Sequence, residues 1–187
     1  MITLSQIVHP TLPVRVRNLP GFKEGLLDLI NELPDNITVA EVGCYAGEST
    51  VAWAIKSKLL YAIDPWGNNY DKNDTSSEEI PMTQIYSEFI QRVEPYKEKL
   101  NIVQTVSKKA VNLFVDEYFD IVYIDACHKY ESVKEDINLW YPKVKTGGAI
   151  CGHDYNDCWH EVRRAVNECI VTPDKTYQDS SWIKFKR

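Results

Sequence analysis

No apolar stretch in this chain of 187 residues approaches the roughly 20 residues that a membrane-spanning helix needs, and the first residues carry no charged-then-apolar leader. No membrane partner is therefore expected, and the cytoplasm is the expected location. Basic residues are in deficit: 21 Lys and Arg stand against 27 Asp and Glu, a net charge of −6, which argues against a nucleic-acid backbone as the main partner. The five cysteines, Cys44, Cys127, Cys151, Cys158 and Cys169, are odd in number and suit reduced thiols better than a disulfide frame. No Cys-x-x-Cys pair occurs among them, so Cys151, His153, Cys158 and His160 make a poor zinc set, the more so as Cys151 falls in an apolar strand. Internal repeats and low-complexity tracts are missing too. What is there, 44% hydrophobic and 26% charged, is ordinary globular material for one domain spanning residues 1–187.

Taken in order, residues 1–20 carry Pro10, Pro13 and Pro20 without a clear period and read as an irregular arm. Phe22, Leu26, Ile30 and Leu33 mark a helix stopped by Pro34, so that arm and helix occupy residues 1–36. Strands follow at Thr38–Val42 and Tyr61–Asp64, separated by a glycine turn and a helix. Residues 67–81 are polar and read as a lid or acceptor loop. Ile85, Phe89 and Val93 give a further helix, 101–104 a third strand, 107–115 a helix, and Phe119–Asp125 a fourth strand apolar enough for burial on both faces. A helix with Val133, Ile137 and Trp140 inward leads through Gly147-Gly148 to a fifth strand, Ala149–Cys151. After Tyr155 comes a helix with Trp159, Val162, Val166 and Cys169 on one side, then one hairpin over 175–186. This alternation predicts a single-domain Rossmann-like α/β fold: a mostly parallel central sheet, helices on both faces and an antiparallel C-terminal hairpin. Ligands in such sheets bind beyond the carboxyl ends of the strands.

Two further absences bear on the ligand. A phosphate-cradling loop needs Lys after its last glycine, and Glu48 stands there; a dinucleotide loop needs three glycines, and this one has Gly43 and Gly47 with Tyr45 between them. ATP and GTP are excluded in that mode, and NAD fits poorly. The two glycines let backbone approach a ligand, and the helix opening at Glu48 presents N–H groups. Glu41, two residues before Gly43, is expected to face the ligand mouth and suits a cationic group. Asp64 ends the next strand about 20 residues on, where a Rossmann-like unit grips ribose hydroxyls. If the fourth and fifth strands are neighbours about 4.8 Å apart, then Asp125, His128, His153 and Asp154 converge.

Glu41-x-Gly43-x-x-x-Gly47 followed by a strand ending in Asp64 resembles the first two motifs of class I S-adenosylmethionine-dependent methyltransferases. The run Ile124-Asp125-Ala126-Cys127-His128-Lys129-Tyr130, a helix ending in Trp140-Tyr141-Pro142, then Gly147-Gly148 and His153-Asp154-Tyr155, resembles a subgroup whose better-known members methylate sugar hydroxyls. The likeness covers about residues 37–170. It implies S-adenosyl-L-methionine as cofactor, with Glu41, Gly43, Gly47 and Ser49 around its methionine part and Tyr45 and Trp66 also among the cofactor-binding residues. It also implies Asp64 on the ribose, Ser107 near the adenine, and Asp125 facing cofactor and acceptor. The implied acceptor is a small molecule, and nothing in the sequence fixes an oligomeric state.

A methyl sulfonium is already activated, so the remaining task is to align an acceptor and remove its proton. An ordinary histidine titrates near 6.5, which makes His128 or His153 the expected base. Asp125 and Asp154 offer hard oxygen ligands for a divalent ion such as Mg²⁺. Each of these residues also has a plainer use: the two acids as helix caps, His128 as a loop histidine bonded to backbone, and Trp66, Tyr70 and Tyr86 as closers of the core or loop. The alternatives in function are an NAD-linked oxidoreductase and a non-catalytic nucleoside-binding module.

Overall fold

The computed structural model describes residues 1–15, 22–67 and 80–187; most of the expected lid, including Tyr70, lies outside the described residues. Its strands are β1 (Ile37–Val42), β2 (Ser57–Ile63), β3 (Leu100–Val103), β4 (Phe119–Ile124), β5 (Val144–Gly152), β6 (Lys175–Thr176) and β7 (Trp182–Phe185). They form one sheet in the order β3-β2-β1-β4-β5-β7-β6. β1 through β5 pair in parallel, and β7 runs antiparallel to both β5 and β6. Crossovers leave β1 in one direction toward β2 and β3, and β4 in the other toward β5. The point where the order reverses is therefore between the carboxyl ends of β1 and β4.

β1 is buried at every residue, as a central parallel strand must be, and its side chains alternate between two cores. Ile37 and Val39 pack with Leu29 and Ile30 of α2 (Phe22–Glu32) and with Val51 to Ala54 of α3 (Glu48–Lys56). Ala40 and Val42 face the other way, among Val133, Ile137 and Trp140 of α6 (Tyr130–Trp140) and Val162 and Val166 of α7 (His160–Ile170). Between them come α4 (Met82–Val93), whose Ile85, Phe89 and Val93 cover the glycine loop, and the short α5 (Ser107–Ala110). No helix among the described residues is long and apolar enough to cross a membrane.

Three sequence expectations need correcting. The N-terminal arm is not wholly irregular: α1 (Leu4–Ile7) forms one helical turn, because Ile2 and Ile7 find apolar neighbours under α2 and α3. The helix expected over 107–115 ends as α5 plus one 3-10 turn at Val111–Leu113, leaving Leu113 and Val115 exposed with no stripe to join. The fifth strand starts at Val144, so that Gly147-Gly148 lies inside β5, where the β4–β5 register shifts.

Candidate active site

The glycine loop owes its shape first to the protein itself. Gly43 has φ +89°, and a Cβ there would stand 2.0 Å from the carbonyl oxygen of Asp125. The close approach is thus to the backbone of β4, whose Asp125 N–H donates to Val42 O at 2.8 Å. Gly47, φ +86°, starts α3 in the left-handed region with Phe89 against its open side. Asp64 holds the loop between them. Its carboxylate accepts from the backbone N–H groups of Cys44 (2.9 Å), Tyr45 (3.0 Å) and Trp66 (2.7 Å). An ionised carboxylate has about four lone-pair sites, so room for one ribose hydroxyl is left. Burial raises the Asp64 pKa, and the three amide bonds oppose the rise.

Glu41 departs from expectation. Its side chain follows the same face as Ile37 and Val39, under the first turn of α3, and is fully buried rather than open to the mouth. No well-formed hydrogen bond reaches either carboxyl oxygen, and the nearest donors are the Ser49 and Thr50 hydroxyls and the Cys44 thiol. Ser49 is half-buried at the start of α3, and Tyr45 is half-buried with φ +46°. Trp66 is buried; its Nε1–H donates to Tyr45 O at 2.8 Å and its ring packs 4.8 Å from Tyr86 and 4.6 Å from Phe89, closing the α4 side of the loop. Ser107 is spent internally: its hydroxyl donates to Asp136 and accepts from Trp140 Nε1–H at 2.8 Å. Its one proton is therefore committed to Asp136, and one acceptor lone pair is left.

The strand ends bring the four catalytic candidates together. Ile124 pairs with Gly152 across the β4–β5 ladder, so Asp125 and His153 continue neighbouring strands. His128 Nε2 lies 2.9 Å from Asp154 Oδ2 and 4.0 Å from Asp125 Oδ1. Its ring stacks on Trp159 at 4.3 Å. Asp154 adopts φ +62°, a turn that aims its carboxylate back at both imidazoles, and its Oδ1 lies 3.2 Å from His153 Nδ1. Ligand atoms of Asp125, His128 and Asp154 all lie within 4.8 Å of one another. His153 is turned inward, with Nε2 3.8 Å from Asp179 and a side chain only 4% exposed.

The charges follow from this packing. Burial pushes Asp125 up to about 6, the imidazoles opposing and Asp154 adding. Burial works against the charge of Asp154, yet the hydrogen bonds from His128 and His153 outweigh it and hold its pKa well below the usual range. Burial disfavours a charged His153, but Asp154, Asp125 and Asp179 together push it up to about 9. That shift favours the imidazolium, which weighs against His153 as the base. Sequence reasoning missed Asp179, whose carboxylate also accepts from Leu26 N–H (2.6 Å) and Ser181 N–H (2.9 Å). It missed the Trp159 stack and the Tyr123 hydroxyl, 3.3 Å from Asp125, as well. No local pattern joins Asp179 or Trp159 to the corner, whereas Tyr123 stands two residues before Asp125, on the face that strand alternation gives them both.

A family model described as a methyltransferase domain matches residues 40–155, more than half the chain and the stretch that holds the glycine loop, Asp64, Asp125, His128 and Asp154. The chain belongs to the methyltransferase-domain family. An uncharacterized protein of Acanthamoeba polyphaga mimivirus is 27% identical to this methyltransferase domain over 141 residues, 73% of this chain and 61% of that protein. The chain therefore spans about three-fifths of the length of the curated relative it matches. Among solved structures, a Streptococcus mutans protein in complex with S-adenosylhomocysteine superposes with a TM-score of 0.57 at 12% identity, covering 84% of this chain and 92% of that one. An S-adenosylmethionine-dependent O-methyltransferase of Thermotoga maritima gives 0.54 at 11% identity over 76% and 47%. An rRNA methylase of Streptococcus thermophilus gives 0.55 at 16% identity over 84% and 90%. At these identities the likeness is one of fold.

Proposed function

We propose that this methyltransferase domain transfers a methyl group from S-adenosylmethionine to a hydroxyl of a small molecule, at the corner where β4 and β5 end. The observation that carries the reading is the convergence of Asp125, His128 and Asp154 beside the glycine loop. The remaining residues fit a cationic, phosphate-free donor: Glu41 is a buried acid with no cation beside it, and Asp64 keeps one site for a ribose hydroxyl. When bound, that cofactor supplies an activated methyl, and this chain's residues orient the acceptor and take its proton. His128 is the base. Trp159 braces its ring, and Asp154 lies within hydrogen-bond distance and stabilises the imidazolium that forms. The Streptococcus mutans and Thermotoga maritima neighbours support the donor and the hydroxyl. The net charge of −6 weighs against an rRNA acceptor, and the sequence resemblance favours a sugar.

The same three ligand atoms favour a second reading, in which they hold a divalent cation. Two carboxylates suit Mg²⁺, and the metal would lower the pKa of the acceptor hydroxyl.

Calorimetry against S-adenosylhomocysteine and NAD, followed by methylation assays on a panel of sugars and phenols, tests the proposal. His128→Ala should lower turnover by about 10²–10⁴-fold and leave S-adenosylhomocysteine affinity intact. Unaltered turnover removes His128 as base. Loss of activity in a chelator, restored by Mg²⁺, selects the second reading. Binding of NAD alone returns the chain to the oxidoreductases, and nucleoside binding without turnover leaves a binding module.

A further inference from the structure

Glu41 is a fully buried acid with no cation beside it among the described residues. It is 0% exposed, no well-formed hydrogen bond reaches either oxygen, and the nearest donors are neutral: the Ser49 and Thr50 hydroxyls and the Cys44 thiol. The groups facing it from each neighbouring element are of the wrong kind for an isolated anion. β4 contributes Asp125 and the Tyr123 phenol, the loop contributes the Cys44 thiol, and α3 contributes the Ser49 and Thr50 hydroxyls. None of these is a cation. Transfer of an unpaired carboxylate into such surroundings is far costlier than transfer of the acid, so the neutral form is the stable one. Burial accordingly pushes Glu41 up to about 8, against the pull of the hydroxyls and the thiol.

We propose that Glu41 is a proton-linked binding group: a carboxylic acid in the ligand-free protein that ionises, releasing one proton to solvent, when the ammonium of the cofactor's amino-acid end settles at the carboxyl end of β1. The inference rests on the S-adenosylmethionine reading of the site. The step changes no bond to carbon: the Glu41 O–H breaks, the proton leaves to buffer, and the ligand keeps its ammonium. Contact is not required, because a cation held against low-dielectric material acts strongly on a buried acid, directly or across one water.

The sign is fixed. An acid that binds its proton more weakly in the complex makes ligand affinity rise with pH, by up to about tenfold per unit, until the ligand-free value is passed, and then level off. Titration calorimetry at pH 7 in phosphate and in Tris, buffers of different ionisation enthalpy, counts the protons. S-Adenosylhomocysteine should release nearly one per molecule bound, and 5′-methylthioadenosine, which has the nucleoside and thioether but no ammonium, should release none. Glu41→Gln should bind S-adenosylhomocysteine without release and with an affinity flat between pH 6 and 8. If a thermal melt shows that variant unfolded, the two ligands on the unaltered protein still decide. Equal release by both ligands, no release by either, or undiminished release from folded Glu41→Gln overturns the proposal. Failure of S-adenosylhomocysteine to bind at all overturns the cofactor reading and this inference with it, which separates the two failures.

Discussion

Ser107, Asp136 and Trp140 form a closed buried group between α5 and α6. Burial pushes Asp136 up to about 6, and the Ser107 hydroxyl opposes. An acid whose folded value stands above its unfolded value, about 3.9, contributes stability below that value and loses it as the pH climbs through the folded one. The window here runs from about 4 to 6, and two units correspond to about 3 kcal/mol. Urea unfolding at pH 4 and pH 7 should show the unaltered protein losing about that much relative to Asp136→Asn, which keeps an acceptor for Ser107. Parallel pH profiles for the two proteins would contradict it. The same scale separates the two histidines: both lie at the corner, but His128 stacks on Trp159 with its Nε2 2.9 Å from Asp154 and 4.0 Å from Asp125, while His153 is enclosed between Asp154 and Asp179.

Among elements, the arm, α4 and the glycine loop act as one unit through two arginines. Arg92 of α4 is buried; its guanidinium donates to Ala46 O in the loop and to Pro13 O in the arm (2.8 Å). Arg15 forks onto Glu88 of α4, with Nε donating at 2.7 Å, and its backbone N–H donates to Glu48 at 3.2 Å. Arg92→Met keeps the apolar stem and deletes both bonds. The expected loss is about 2–3 kcal/mol, with faster amide exchange in residues 44–47 and in the arm, read by hydrogen–deuterium exchange. Unchanged exchange at the loop would break the link between the two. None of this was legible in the sequence, because those bonds join positions 33 to 79 residues apart. The strands and long helices were legible, since period-2 and period-3.6 patterns are local, and so were Asp125 and Asp154, which stand where β4 and β5 stop. The burial of Glu41 was not: alternation placed it on a face, and only the docking of α3 determined what covers that face.

At the scale of the molecule, β7 wedges antiparallel between β5 and β6 and brings the chain's last residues back to the site. Trp182 is 1% exposed, lies against Gly152 and donates its Nε1–H to His153 O at 3.2 Å. Trp182→Ala should cost roughly 3–5 kcal/mol in chemical denaturation, and a loss under ~1 kcal/mol would mean that this wedge is not a supporting wall. Asp179, in the turn before β7, ties His153 to the start of α2. That placement imposes an order on biosynthesis. A nascent chain emerging from the ribosome can build the glycine loop and the central strands early, but the corner with two imidazoles stays without its back wall until the residues after Lys175 have emerged. A polypeptide halted before them would carry the glycine loop and Asp64 but no enclosed His153.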